Sequence, residues 1–458
     1  MFGNACPAAA SELGARAENE DCLVLNVWRP KGSNRRDRLP VYVFIHGGAS
    51  TFGSAAQFDM AELVRRTGVI GVSINYRLGA LGFLSVPGLS QEAGESGNYG
   101  LQDQQLALRW VRRNIAAFGG DPRRVTVGGE SAGAWSICAH LSAPASKRLF
   151  AQVMLQSMPA SCPTQTQQQA ETLGSGMATR LGCPAGPAQV ACLRATPVGR
   201  LLDEFGAGPP FPVRGTATVP TDPRKAIADG EFARVPVVVG FNRDEGRTFA
   251  RGFIGATREQ YVAFLEGAFP QFADAVLARY PWPSRPDRFT AAYLIGAVMT
   301  DSGSYLSVGA CSTLRLLRDL DRHTRTYAYR FDARTGPGQA PIPGFVWGAG
   351  HAGELPYLFP TYHLGLAVPP QFDAAEHRLA RDMKRYWGAF VSTGSPNVGQ
   401  AKWPRFNRTN RFMSLRRAGS RATVTRAAIR RQHECGFWDR HAPGPEAPAS
   451  PATSPPPE

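Results

Sequence analysis

The chain has 458 residues, is 43% hydrophobic and 19% charged, and carries 51 Lys and Arg against 36 Asp and Glu, a formal net charge of +15. That composition excludes a collagen-like or wholly disordered chain, and the length is ample for a large core. No run approaches the ~18 apolar residues that a membrane-spanning helix needs.

The first residues, MFGNACPAAASELGARAENEDC, lack the charged and then apolar pattern of a secretory signal. Read along the chain, Val41–His46 (VYVFIH) and Val69–Asn75 (VIGVSIN) are short β-rich runs. A helix follows, because Leu108, Val111, Ile115 and Phe118 recur at spacings of 3, 4 and 3 on one face; Gly119, Gly120 and Pro122 stop it. Val125–Gly128 is a strand, Ala132–Leu141 a helix and Gln152–Leu155 a strand again. Residues 160–215 mix Gln, Gly, Pro and Cys with little periodicity. Val235–Gly240 returns to a buried-strand pattern, 247–325 read as mostly helical, and Thr326–Phe331 is a strand. Strands separated by helices predict an α/β fold, with a parallel sheet covered on both faces. From about His441 the Pro/Ala/Ser-rich end cannot bury a core and is expected to be disordered.

Only five of the basic residues are Lys, a bias toward Arg that fits codon preference better than selection for phosphate contacts. The densest basic stretch, Arg405 to Arg431, reads as a solvated face. No helix-turn-helix, zinc-finger or RNP signature accompanies it, so no nucleic-acid partner is expected. Among eight cysteines none forms C-x-x-C, which argues against zinc and thioredoxin-like sites. Cys6 with Cys22, and Cys183 with Cys192, are short-range pairs that suggest disulfides and hence a secreted or other oxidising compartment. Cys138 lies on an apolar helical pattern and reads as a buried thiol. Cys162, Cys311 and Cys435 have no evident partners in the sequence.

The strongest chemical signal is Gly129-Glu130-Ser131-Ala132-Gly133. Alone, G-x-S-x-G is common, but here it joins a strand (VTVGG) to a helix (AGAWSICAHL), the setting that exposes a nucleophilic serine on a sharp turn. No G-K-[ST] follows, which argues against a phosphate-binding loop. Upstream, His46-Gly47-Gly48-Ala49 follows a strand, where small residues let the backbone N–H groups of Gly48 and Ala49 reach a substrate oxygen, with the Ala132 N–H as third donor. The chain order Ser…Asp/Glu…His leaves Asp244 and Glu245, at the end of a strand, as acids. His323, His351, His363, His377, His433 and His441 remain as bases. Of these His351, in the Gly-flanked loop Gly350-His351-Ala352-Gly353, is the best placed.

The sequence resembles the type-B carboxylesterases, the family that includes cholinesterases. The resemblance rests on EDCLVLNV (Glu20 to Val27), on the block from Gly97 to Gly133, and on NYRLGALGFLS, HAGELPYLF and TGSPN…WPRF in the family's order. It implies a single α/β-hydrolase domain over 1–440 with helical insertions over the active site, ahead of the 441–458 tail. It implies Ser131 as nucleophile, His351 as base and Glu245 as orienting acid, with Gly48, Ala49 and Ala132 as the oxyanion hole. It also implies the disulfides Cys6–Cys22 and Cys183–Cys192. Ser157 matches a serine that supports the triad, although Met158 stands where a glycine is usual. Only about twenty residues precede EDCLVLNV, so the family's first strands, including its F-x-G-I-P-Y-A segment, are expected to be missing and the edge they cover exposed. The implied reaction is hydrolysis of a small-molecule ester through an acyl-enzyme, with no metal or organic cofactor. The same triad could serve thioesters, lactones or amides. A silent binding relative would lack the nucleophile, which this chain retains.

Overall fold

The structure, a computed structural model, describes residues 2–11, 13–206, 208–335, 342–362, 371–397, 402–417 and 422–442. Its frame is a nine-stranded sheet: β1 Leu25–Trp28, β2 Leu39–Ile45, β3 Ile70–Ile74, β4 Gly120–Glu130, β5 Gln152–Gln156, β6 Val237–Asn242, β7 Thr326–Phe331, β8 Arg411–Leu415 and β9 Thr423–Thr425. The spatial order is β1-β3-β2-β4-β5-β6-β7-β8-β9. Only the outermost pairs, β1 with β3 and β8 with β9, are antiparallel. The pairs between β3 and β8 are parallel. A parallel sheet needs cover on both faces, and the alternation along β2 shows how this one gets it. Val41, Val43 and Ile45 face one core cluster, while Tyr42 and Phe44 face the other. The first is closed by helices Tyr99–Asn114, Ala132–Ser142 and Ala310–His323. The second is closed by Ala61–Thr67 and Ala374–Thr393. Large aromatics on the second face fit because glycines stand opposite them. A Cβ at Gly128 would lie 2.3 Å from the Tyr42 hydroxyl, and one at Gly240 only 1.9 Å from the Tyr329 ring.

The expected strands and helices are present with shifted ends. β4 begins at Gly120, so Pro122, read as a helix stop, lies inside a strand. The helix before it runs Tyr99–Asn114 and tightens to a 3-10 turn over Ile115–Phe118. The larger correction concerns residues 160–215, which carry three helices: Gln167–Arg180, Gln189–Ala195 and Val198–Phe205. Their signal is weak because the buried positions of the first are Ala170, Gly174, Met177 and Ala178, mostly small residues at helical spacing. A local cue existed, since Thr166 and Gln169 form a reciprocal capping box. Gly174 is needed for close approach, because a Cβ there would meet the Ser85 carbonyl. At the other end, His441 closes helix Cys435–His441, and the tail expected to be disordered lies, from 443 on, outside the described residues. Among the described residues no helix is long and apolar enough to cross a membrane.

Four cysteine pairs stand at disulfide distance: Cys6–Cys22, Cys138–Cys162, Cys183–Cys192 and Cys311–Cys435. They are compatible with an oxidising compartment. Cys138 is therefore not the thiol its apolar setting suggested. The crossover from β4 through its helix to β5 returns the chain so that Cys162, past the end of β5, meets the helix flank. No spacing rule reveals that.

Peptide mapping without reduction is expected to recover Cys138 linked to Cys162 and Cys311 linked to Cys435; alkylated Cys138 from unreduced protein would refute the pairing. Removing the Cys311–Cys435 crosslink, which closes a separation of 124 residues, with the double variant C311A/C435A should lower the unfolding free energy by about 2–4 kcal/mol.

Candidate active site

β4 ends at Glu130 and the next helix starts at Ala132, leaving Ser131 between them at φ 54° and ψ −122°. An L-residue pays of order 1–3 kcal/mol for such a conformation. The turn is held by its surroundings. The Ser131 N–H donates to the Gln156 carbonyl on β5 at 2.9 Å, and the Trp135 N–H donates to the Ser131 carbonyl at 2.9 Å. The flanking glycines are steric requirements. A Cβ on Gly133 would sit 2.0 Å from the Ile45 carbonyl oxygen, and one on Gly129 would sit 2.6 Å from the Gly133 carbonyl carbon.

The loop after β2 comes against this turn. A Cβ on Gly47 would lie 2.9 Å from Glu130 Oε2 and 3.0 Å from Ser131 Cβ. Gly48, Ala49 and Ser50 all have positive φ, at 94°, 52° and 59°. The Thr51 and Phe52 N–H groups both donate to the Gly48 carbonyl, pinning the loop. His46 anchors its root. The buried ring stacks on Tyr76, its Nδ1 donates to the Gly47 carbonyl at 2.8 Å, and burial pushes its pKa down to about 4.

Glu245 follows β6 and is fully buried. Its Oε1 accepts the Asn242 N–H at 2.7 Å, and its Oε2 lies 2.7 Å from His351 Nδ1. The imidazole therefore carries a proton on Nδ1, which turns Nε2 toward Ser131's neighbour, Glu130. Asp244, the other acid of the pair, takes a different part: it binds Arg334 and accepts the Ala349 N–H. The His351 loop is tied down by three bonds, as Asn242 Nδ2 donates to the Gly350 carbonyl, Thr248 Oγ1 to the His351 carbonyl, and the His351 N–H to the Glu245 carbonyl.

Sequence reasoning missed two further carboxylates here. Glu130 Oε1 lies 3.1 Å from His351 Nε2, an ion-pair distance without the alignment of a hydrogen bond. Burial pushes the Glu130 carboxyl up to about 8 against the pull of His351. The buried imidazole would by desolvation alone titrate low; Glu130 and the hydrogen bond to Glu245 raise it to about 9. Glu130 sits inside the G-x-S-x-G motif, so its position was legible but its proximity to the histidine was not. Glu354, also buried, accepts from Gln156 Nε2 at 3.0 Å and Asn242 Nδ2 at 2.6 Å, and burial raises its carboxyl. It clamps the two residues that hold Ser131 and Glu245.

Ser157, the expected support of the triad, directly follows β5. Its backbone turns out of β5 at φ 48° and its N–H donates to the Gly240 carbonyl. Its Oγ is buried and, among the described residues, meets no hydrogen-bond partner. Met158, in place of the usual glycine, is buried in the core. Of the other candidate bases, His323 lies 3.2 Å from the Ala228 carbonyl, His433 pairs with Asp301, and His441 contacts the Phe437 carbonyl. His377 packs edge-on to Phe372, and His363 lies outside the described residues. The wall beside His351 is aromatic. Phe249 stands 4.7 Å from the imidazole and stacks on Tyr305 at 4.2 Å, with Phe345 and Trp347 in a neighbouring cluster.

The model of the carboxylesterase family matches residues 1–438. The chain is 36% identical to the fumonisin B1 esterase of Sphingopyxis macrogoltabida over 88% of this chain and 74% of that protein. It is 32% identical to an acylcarnitine hydrolase of Mus musculus, over 87% and 72% of the two chains. To the acetylcholinesterase of Bungarus fasciatus it is 33% identical, over 93% and 73%. A nine-stranded, mostly parallel sheet with helices on both faces, together with this match along the chain, places the protein in the carboxylesterase family, as an α/β-hydrolase that hydrolyses carboxylic esters.

Proposed function

We propose that Ser131, His351 and Glu245 form the catalytic triad of this esterase and that catalysis runs through an acyl-enzyme. The observation that carries this reading is the 2.7 Å contact between Glu245 Oε2 and His351 Nδ1, in the same corner as the strained Ser131 turn. His351 Nε2 takes the Ser131 hydroxyl proton as Oγ attacks the ester carbonyl. Charge developing on the carbonyl oxygen is met by the N–H groups of Gly48, Ala49 and Ala132, the last at the start of a helix. The imidazolium then protonates the leaving alcohol, and water, deprotonated by His351, releases the acid and regenerates Ser131. Glu245 keeps the proton on Nδ1 and stabilises the imidazolium.

Phe249 and Tyr305 give the reacting centre an apolar wall, which suits a substrate with a hydrophobic group near the scissile bond. The four cysteine pairs support a secreted or otherwise oxidising setting for this activity.

Exposure to a fluorophosphonate should add one adduct to the intact mass of the wild-type chain and none to Ser131→Ala, which should lose on the order of 10⁶-fold in ester hydrolysis. Hydrolysis near the wild-type rate by that variant would sink the nucleophile assignment.

The pH profile follows from the charges around His351. The base must be neutral, and its pKa is raised to about 9, so kcat/KM should climb with pH through the neutral range into the alkaline. Glu130→Gln removes a carboxyl 3.1 Å from Nε2 that, when ionised, favours the imidazolium. It should move the acid limb of kcat/KM to lower pH by about one unit or more. A limb that stays in place would show that Glu130 does not govern the imidazole.

A further inference from the structure

Away from the ester site, three helices meet around a cavity of about 240 Å³ lined by Leu314, Arg315, Arg318, Arg426, Arg430 and Asp439. The residues come from Ala310–His323, Arg426–Gln432 and Cys435–His441. Four guanidinium groups thus face one carboxylate, each of whose oxygens already has an arginine partner. Asp439 Oδ1 accepts from Arg315 Nη1 at 2.8 Å, and Oδ2 pairs with Arg430 Nη1 at 2.8 Å. Arg318 reaches Asp319 only at 3.6 Å, and Asp319 already holds Arg224 and Arg322. Arg426 Nε is shut from solvent and, among the described residues, has no hydrogen-bond partner. The side chain as a whole is only partly buried, but an N–H left dry and unpaired is costly. Burial first, and then the nearby Arg430 and Arg318, lower the Arg426 pKa. The one further acid coupled to Arg426 is Asp321, whose own carboxyl burial pushes up to about 6.

The setting is also rigid. Cys311 pairs with Cys435, and each lies one helical turn before a cavity residue, Arg315 and Asp439 respectively, so the crosslink clamps two of the three helices beside the cavity. Charge, an unsatisfied donor and a crosslinked frame converge on one place.

We infer that this cavity binds a small tetrahedral oxyanion of the phosphate class, free or as a phosphomonoester, held chiefly by Arg426 and Arg318. Guanidinium forks match the geometry of phosphate oxygens, and several can share one anion. A bounded cavity suits a small anion, where a polymer would need an open stripe. This also gives a role to part of the basic stretch that composition alone read as a solvated face.

Isothermal titration with inorganic phosphate, and separately with phenyl phosphate, tests this at constant ionic strength. Saturable binding to the wild-type chain is expected with one or both probes, weakened at least tenfold in Arg426→Gln and in Arg318→Gln. The exposed Arg258→Gln serves as a charge-matched control and should bind as wild type. The tighter probe identifies the free anion or the ester as the preferred form. Arg318 is half exposed, so its variant carries the test if Arg426→Gln fails to fold, and its ester hydrolysis should be unchanged. Failure of both probes to bind saturably, or wild-type binding by the folded arginine variants, overturns the proposal.

Discussion

The helix Ala132–Ser142 lies so close to the sheet that its second residue touches the backbone of β2. No side chain fits at Gly133, where a Cβ would meet the Ile45 carbonyl oxygen at 2.0 Å. Much else depends on that approach. It forces the sharp turn at Ser131, brings the loop after β2 against the serine, and aims the first N–H groups of the helix at the same space. The strain at Ser131 is tolerable because β4 is flanked by β2 and β5 in continuous parallel ladders, which leave the turn no room to relax.

A second constraint is charge. Three glutamates, Glu130, Glu245 and Glu354, are buried around one imidazole, and an unpaired buried carboxylate costs several kcal/mol. Each is answered differently. Glu354 accepts hydrogen bonds from the side-chain amides of Gln156 and Asn242. Glu245 is met by a backbone N–H and the imidazole. Glu130 has little but the imidazole: burial pushes its carboxyl up, and only when ionised does it strengthen the hold of His351 on its proton. The network ties β5, β6 and the His351 loop together through polar groups, so that the positions of Glu245 and His351 are set by the same residues that satisfy one another.

The two faces of the sheet share the work unequally. One carries aliphatic side chains packed against three helices, together with three of the four cysteine pairs, Cys6–Cys22, Cys138–Cys162 and Cys311–Cys435. The other is built from large aromatics whose bulk is accommodated by Gly128 and Gly240. The arginine cavity sits among the outer helices of the first face, beside the crosslink Cys311–Cys435.

How far the sequence alone could be read depended on distance along the chain. The alternation of strands and helices, the Gly129–Gly133 turn and the His46–Ala49 loop are written in neighbouring residues, because backbone strain and side-chain periodicity are local properties. The choice of Glu245 over Asp244 came only through a family likeness, since both acids occupy the same strand end. It is the fold that turns one to His351, 106 residues away, and the other to Arg334. Helices among residues 160–215 were hidden because small buried residues give little hydrophobic contrast. The partner of Cys138, the surroundings of the Ser157 hydroxyl, the approach of Glu130 to the imidazole and the convergence of four arginines had no local signature. Each is decided by which strand ends and helix flanks the parallel crossovers bring together, and that is a property of the packed sheet, which residue spacing does not encode.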